Sequence, residues 1–220
     1  MESPVIIALD GMSLTDSLRI ADETKDLAWG FKIHDLFFRE GPAVIEAFKQ
    51  RGRVFVDTKF HDIPATVEKE VAALLGLGAD LVTVHASGGT EMLRAAVAAG
   101  GQKIAAVTAL TSLSEMDTRM IYHTTPEESV RVLAGLAYEA GVRNIVCSPQ
   151  EIGIVRDISK EISILTPGIR SREDPKDDQS RTTTPREAIA AGATFLVIGR
   201  PITKALHPRI ALEEIRNTLG

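Results

Sequence analysis

Eight short apolar runs, each followed by a segment with helical spacing, constrain this chain more than any other feature. They are 4–10 (PVIIALD), 28–34 (AWGFKIH), 53–59 (RVFVDTK), 81–86 (LVTVHA), 103–110 (KIAAVTAL), 144–148 (NIVCS), 163–168 (SILTPG) and 195–201 (FLVIGRP). Near-continuous apolar character over such lengths suits strands covered on both faces, as in a parallel sheet. The segments 14–25, 36–51, 63–77, 89–99, 126–140, 149–158, 185–191 and 202–217 read as helices. Thr125-Pro126 and Thr184-Pro185 each set a capping side chain before a proline at the first helical position. Gly52, Gly78, Gly100 and Gly141 stand where helical patterns stop.

The strands start at 4, 28, 53, 81, 103, 144, 163 and 195, so six steps span 19 to 32 residues and one spans 41. That rhythm, closed by a final helix, predicts an α/β fold: a single (β/α)8 TIM-barrel domain over residues 1–220. The alternative, a doubly wound open sheet, usually has fewer strands, and no G-x-G-x-x-G follows the first run. The longest step implies an insertion at 112–125, and the step of 32 implies a long loop at 169–184. Both follow strand C-termini, where such barrels build their sites.

Composition removes whole classes of function. At 220 residues, 44% hydrophobic and 25% charged, the chain can bury a large core without covalent staples. A net charge of −5 argues against nucleic-acid binding through a basic face, while leaving room for a small anionic ligand. The lone cysteine, Cys147, allows no internal disulfide and no C-x-x-C site, which fits a reducing compartment. The N-terminal stretch lacks signal-peptide character, and Gly and Asp interrupt the apolar runs before membrane-spanning length. The expectation is a cytoplasmic protein without nucleic-acid or membrane partners.

Charged residues gather at the strand ends. Asp10 ends the first run, Lys32 lies at the end of the second, Asp57 and Lys59 end the third, and Asp62 lies just beyond. Residues i and i+2 of a strand share a face, so Asp57 and Lys59 are expected together, with Thr58 opposite. A carboxylate and an ammonium so placed can act on one carbon from adjacent points. The plainer alternative is an ion-pair network closing the barrel mouth, but so much desolvated charge is a poor stabilising device. A second group gathers in FLVIGRPIT, where Gly199 and Arg200 precede the last helix. The strand 7 loop adds Gly168, Arg170, Gln179 and Arg181. Backbone N–H groups and forked guanidinium groups at these barrel positions suit a phosphate, over which the loop can fold. Read plainly, the same residues are a tight turn and a solvated charged loop. His85 is expected to orient a loop. His61 has no second histidine at metal-ligand spacing, so no metal is expected; His123 and His207 read as peripheral. Cys147 reads as an inert small hydrophobe, and Trp29, Phe37 and Phe38 as core or interface residues.

The segments VIIALD, FKIH, DTKFHDIPATV, TALTS, TPGIR, DDQSR and VIGRPIT, in that order, resemble the orotidine 5′-monophosphate decarboxylase family across residues 5–204. The resemblance implies a barrel, conversion of orotidine 5′-monophosphate to UMP and carbon dioxide, and no metal or organic cofactor. It also implies a homodimer with sites at the subunit interface. Carried over by position, Lys59 is the proton donor to C6 and Asp57 sits against the substrate carboxylate. Lys32 completes a Lys–Asp–Lys array, and Asp62 enters from the partner subunit. Asp10 and Lys32 hold ribose hydroxyls, with Thr66 contributed across the interface. Thr111 and Ser114, in ALTSLS, are the two pyrimidine-facing candidates. Arg170, Gln179, Gly199 and Arg200 hold the phosphate. His34 replaces a glycine usual in the family and is expected to turn away from substrate. Related sugar-phosphate enzymes share D-x-K-x-x-D but use a magnesium-stabilised enediolate, with a metal-binding carboxylate where this chain has Lys32. A non-catalytic nucleotide-binding barrel would be marked by loss of Lys59 or Asp57, and both are present.

Overall fold

Each of the eight apolar runs forms a strand in the computed structural model, which describes residues 3–170 and 183–219. The strands are β1 (Val5–Ala8), β2 (Gly30–Ile33), β3 (Arg53–Phe60), β4 (Leu81–His85), β5 (Ile104–Val107), β6 (Asn144–Val146), β7 (Ser163–Thr166) and β8 (Phe195–Ile198). They close a barrel in sequence order, β8 returning to β1 in parallel with Val5 beside Leu196. The helices are α1 (Leu14–Thr24), α2 (Asp35–Glu40), α3 (Ala43–Lys49), α4 (Pro64–Gly76), α5 (Thr90–Gly100), α6 (Glu115–Tyr122), α7 (Pro126–Glu139), α8 (Ile152–Ile158), α9 (Pro185–Ala191), α10 (Arg200–Thr203) and α11 (Pro208–Asn217). None of the helices among the described residues is long and apolar enough to cross a membrane.

Three segments differ from the sequence expectation, each for a local reason. The helix expected over 36–51 breaks into α2 and α3, because Gly41 takes φ 73° and Pro42 has no N–H to donate. The helix expected over 202–217 breaks before Pro208, which restarts it as the first residue of α11. The insertion at 112–125 contains α6, begun by a capping box. The Ser114 hydroxyl accepts from Asp117 N–H at 3.1 Å, and the Asp117 carboxylate accepts from Ser114 N–H at 3.0 Å.

Alternation along the strands divides the apolar side chains into two layers. Ile6, Ala8, Phe55, Leu81, Ala105, Leu165 and Val197 pack together inside the barrel. Residues of opposite parity, such as Ile7, Val54, Val56, Val82 and Ile164, pack in the larger outer layer with helical residues. Each fully buried Ile, Val or Phe contributes roughly 1.5–3 kcal/mol. At the strand N-termini, Trp29 meets Phe195 edge-on at 5.4 Å, and the Arg53 guanidinium lies 5.2 Å from the indole. Gly30 is required there: a Cβ at this position would stand 2.4 Å from the Arg53 carbonyl oxygen. With that end plugged by apolar and aromatic groups, the charged array of Asp10, Lys32, Asp57 and Lys59 stands at the opposite, C-terminal end.

Candidate active site

The C-terminal ends of β1, β2 and β3 bring one carboxylate between two ammonium groups. Lys32 Nζ donates to Asp10 Oδ2 at 2.7 Å and to Asp57 Oδ2 at 3.2 Å. Lys59 Nζ donates to the same Asp57 oxygen at 2.7 Å. Lys32 and Asp57 are buried, whereas the Asp10 side chain is 46% exposed and that of Lys59 32%. Burial pushes the Asp57 carboxyl up, but the charges of Lys32 and Lys59, and hydrogen bonds from Lys59 and Thr83, hold it well below the usual carboxylate range. Burial presses Lys32 down, yet the neighbouring Asp57 and Asp10 charges outweigh it and hold the ammonium above its ordinary value. Asp57 and Lys32 are therefore both ionised at neutral pH.

Asp57 and Lys59 meet as expected, but not through regular alternation. Lys59 has φ 53°, in the left-handed region, and the pairing of β3 with β4 shifts register between Val56 and Phe60. A non-glycine residue held there costs of order 1–3 kcal/mol, so the surroundings must impose it.

These residues line a cavity of about 440 Å³. Its inner wall is apolar, built from Ala8, Phe55, Val107, Val146 and Val197. On the β7 and β8 side of the mouth, the loop after β7 contributes Gly168 and Arg170, and Gly199 with α10 contributes Arg200 and Thr203. The stem of the β7 loop is closed by a bridge from Ile169 to Thr183, with Arg170 N–H donating to Thr183 O at 3.0 Å. Gln179 and Arg181 lie outside the described residues.

The other expected residues divide. Thr111 lines the cavity, whereas Ser114 does not; its hydroxyl is used at the start of α6, donating to Asp117 Oδ2 at 2.6 Å. Asp62 and Thr66 lie outside the cavity of their own chain. Asp62 is exposed on the rim, its Oδ1 accepting from Ile63 N–H at 2.6 Å, and Thr66 is half-buried in the first turn of α4. His34 was expected to turn away and instead lines the cavity. Its Nδ1–H donates to the Asp57 carbonyl at 2.6 Å, and its ring meets Phe38 edge-on at 5.5 Å. Cys147 is buried and also reaches the cavity wall; burial, and the nearby Glu151 charge, raise its thiol pKa far above the reactive range. His85 is half-buried and stacks edge-on with His61 at 5.7 Å; burial, with His61 and Lys59 nearby, lowers its pKa. Thr83 is a contact absent from the sequence reading: its hydroxyl donates to Asp57 Oδ1 at 2.8 Å.

Comparison with known proteins agrees with this geometry. Residues 3–215 match the model of the orotidine 5′-phosphate decarboxylase / HUMPS family. The chain is 43% identical to the orotidine 5′-phosphate decarboxylase of Thermobifida fusca, over 96% of its own length and 93% of the relative's. It is 40% identical to that of Vibrio cholerae, over 98% and 97%. The crystal structure of orotidine 5′-phosphate decarboxylase from Lactobacillus acidophilus superimposes with a TM-score of 0.83, at 32% identity and over the full length of both chains. A barrel mouth with paired lysines on Asp57, two arginines lining the same cavity and near-complete alignment together place this chain in the orotidine 5′-phosphate decarboxylase / HUMPS family.

Proposed function

We propose that this chain decarboxylates orotidine 5′-monophosphate to UMP and carbon dioxide, with Lys59 giving the proton to C6 and no metal or organic cofactor taking part. The observation that carries this reading is the Asp57 carboxylate held by Lys32 and Lys59 in the same cavity as Arg170 and Arg200. The substrate phosphate goes to the arginine side, the ribose hydroxyls to Asp10 and Lys32, and the pyrimidine toward Thr111. Its C6 carboxylate then faces Asp57. Breaking the C6–carboxylate bond leaves an electron pair in the ring plane, where the π system does not accept it. The Lys59 ammonium stabilises that pair electrostatically and transfers a proton from Nζ to C6. The departing carbon dioxide is neutral, so repulsion between two carboxylates present in the complex disappears as the bond breaks. The phosphate grip is remote from C6, and its binding energy serves to order the charged array.

The magnesium-enediolate alternative within the same family is disfavoured by Lys32. Its ammonium sits between the Asp10 and Asp57 carboxylates, where a divalent cation would need to bind. We infer a homodimer in which Asp62 and Thr66 complete the partner's site. In support, Asp62 is exposed and does not line its own cavity, and the adjoining Ile63 is 66% exposed.

The deciding experiment adds orotidylate to the protein in the presence of excess chelator and follows loss of its absorbance and release of carbon dioxide. Stoichiometric release, unchanged by chelator, is expected; no turnover, or turnover abolished by chelator, overturns the reading. Arg200→Ala is expected to raise KM for orotidylate by about tenfold or more. The slow turnover of orotidine, which lacks the phosphate, should stay unchanged. Equal losses on both substrates would remove Arg200 from the phosphate grip.

A further inference from the structure

Thr83 lies in the middle of β4 between Val82 and Val84, and all three are fully buried. Its hydroxyl donates to Asp57 Oδ1 at 2.8 Å and accepts from Lys59 N–H at 2.9 Å. The direction of both bonds is fixed by chemistry, since an ionised carboxylate only accepts and a backbone N–H only donates. The Thr83 carbonyl also accepts from Thr58 Oγ1 at 3.2 Å. One residue of β4 thus contacts three successive residues of β3.

The register of the two strands makes this contact necessary. Val56 pairs with Val82 and Phe60 with Val84, so four residues of β3 span two of β4. The excess chain takes Lys59 N–H away from the regular ladder, and Thr83 Oγ1 supplies its acceptor. The same hydroxyl divides the work of the Asp57 oxygens: Oδ1 faces Thr83, while Oδ2 receives both lysines.

We propose that Thr83 is a positioning residue, whose hydroxyl fixes both the rotation of the Asp57 carboxylate and the left-handed backbone at Lys59, and so sets the meeting of Nζ with Oδ2. The inference rests on the proposed decarboxylase function for its kinetic consequence, but its geometric content stands apart from that reading. Without the hydroxyl, a part-buried N–H and a buried carboxylate oxygen lose their partner together. The bulged segment then has less reason to keep Lys59 in a conformation that non-glycine residues avoid.

Thr83→Val keeps the shape and removes the hydroxyl; Thr83→Ser keeps the hydroxyl. Loss of a hydrogen bond to a charged group predicts a fall in kcat of roughly ten- to a hundredfold for Thr83→Val. KM should stay within about threefold, and Thr83→Ser should recover kcat to within about threefold. Thr83→Ala removes the same hydroxyl with less crowding and is read the same way if the valine variant does not fold. A role confined to stability would lower the melting temperature and leave kcat of the folded protein intact. A kcat within about twofold of the unsubstituted protein, or a serine variant as slow as the valine one, overturns the proposal. A crystal structure of Thr83→Val provides the independent readout. Movement of the Asp57 carboxylate or of the Lys59 backbone supports the assignment, and an unchanged pair overturns it. Failure of the unsubstituted chain to turn over orotidylate would refute the proposed function, with the crystal structure still deciding the role of Thr83.

Discussion

Lys59→Ala is expected to lower orotidylate turnover by at least about 10⁴-fold while the barrel remains folded. Both the electrostatic partner of the developing carbanion and its proton source reside in this one ammonium under the proposed mechanism. Removal should leave the fold intact because the Lys59 side chain is one-third exposed and Asp57 keeps Lys32 and Thr83 as partners. Affinity for UMP, which needs neither stabilisation nor protonation, should change little. Single-turnover absorbance measurements, paired with thermal unfolding and UMP titration, test all three parts. A rate within about a hundredfold of the unsubstituted protein would assign the proton to another group.

Asp57→Ala should damage activity and stability together. The variant leaves Lys32, buried, and Lys59 facing one another without the carboxylate that both contact. Removing one member of a buried ion pair costs about 3–5 kcal/mol, and the lower end applies here because Asp10 still pairs with Lys32. Turnover should fall by roughly 10³-fold or more. The sign of the pH dependence follows from the direction of the Asp57 shift. Burial opposes ionisation, but the two lysines and Thr83 prevail, so the native carboxyl lies below its unfolded value. Its stabilisation is thus complete above about pH 4, the ordinary aspartate range, and declines as pH falls below it. Denaturant unfolding at neutral pH should separate the two proteins, and the gap should narrow in acid. Equal stability at neutral pH would contradict the paired-lysine arrangement.

The barrel was legible because each strand is a short apolar run with a recognisable stop, and the spacing of the runs leaves few topologies. The charged array was legible because Asp10, Lys32, Asp57 and Lys59 sit at corresponding points of successive runs. What escaped depends on contacts between distant residues or on competition for a side chain. Thr83 is hidden inside LVTVH, where a β-branched residue reads as an ordinary strand former; its bond to Asp57 joins residues 26 apart in sequence. Ser114 offered a hydroxyl near the expected pyrimidine position, but Asp117 three residues on draws it into a helix cap. That S-x-x-D pattern was available as a helix signal within the presumed insertion. Parity alone placed His34 with Lys32 but gave no hint that the Asp57 carbonyl would anchor its ring at the cavity wall. Pro42 and Pro208 carried their helix breaks openly, and the amphipathic spacing around them obscured both.

The left-handed backbone at Lys59 sets stability and chemistry against one another at a single codon. Glycine adopts that conformation without the steric penalty, which offsets part of the loss of the Asp57 partner, so Lys59→Gly should be inactive yet more resistant to heat than Lys59→Ala. A directed-evolution campaign scored only on thermal resistance would therefore favour glycine among the substitutions that erase the reactive amine. Any such library of this scaffold needs a growth or turnover selection run alongside the heat challenge.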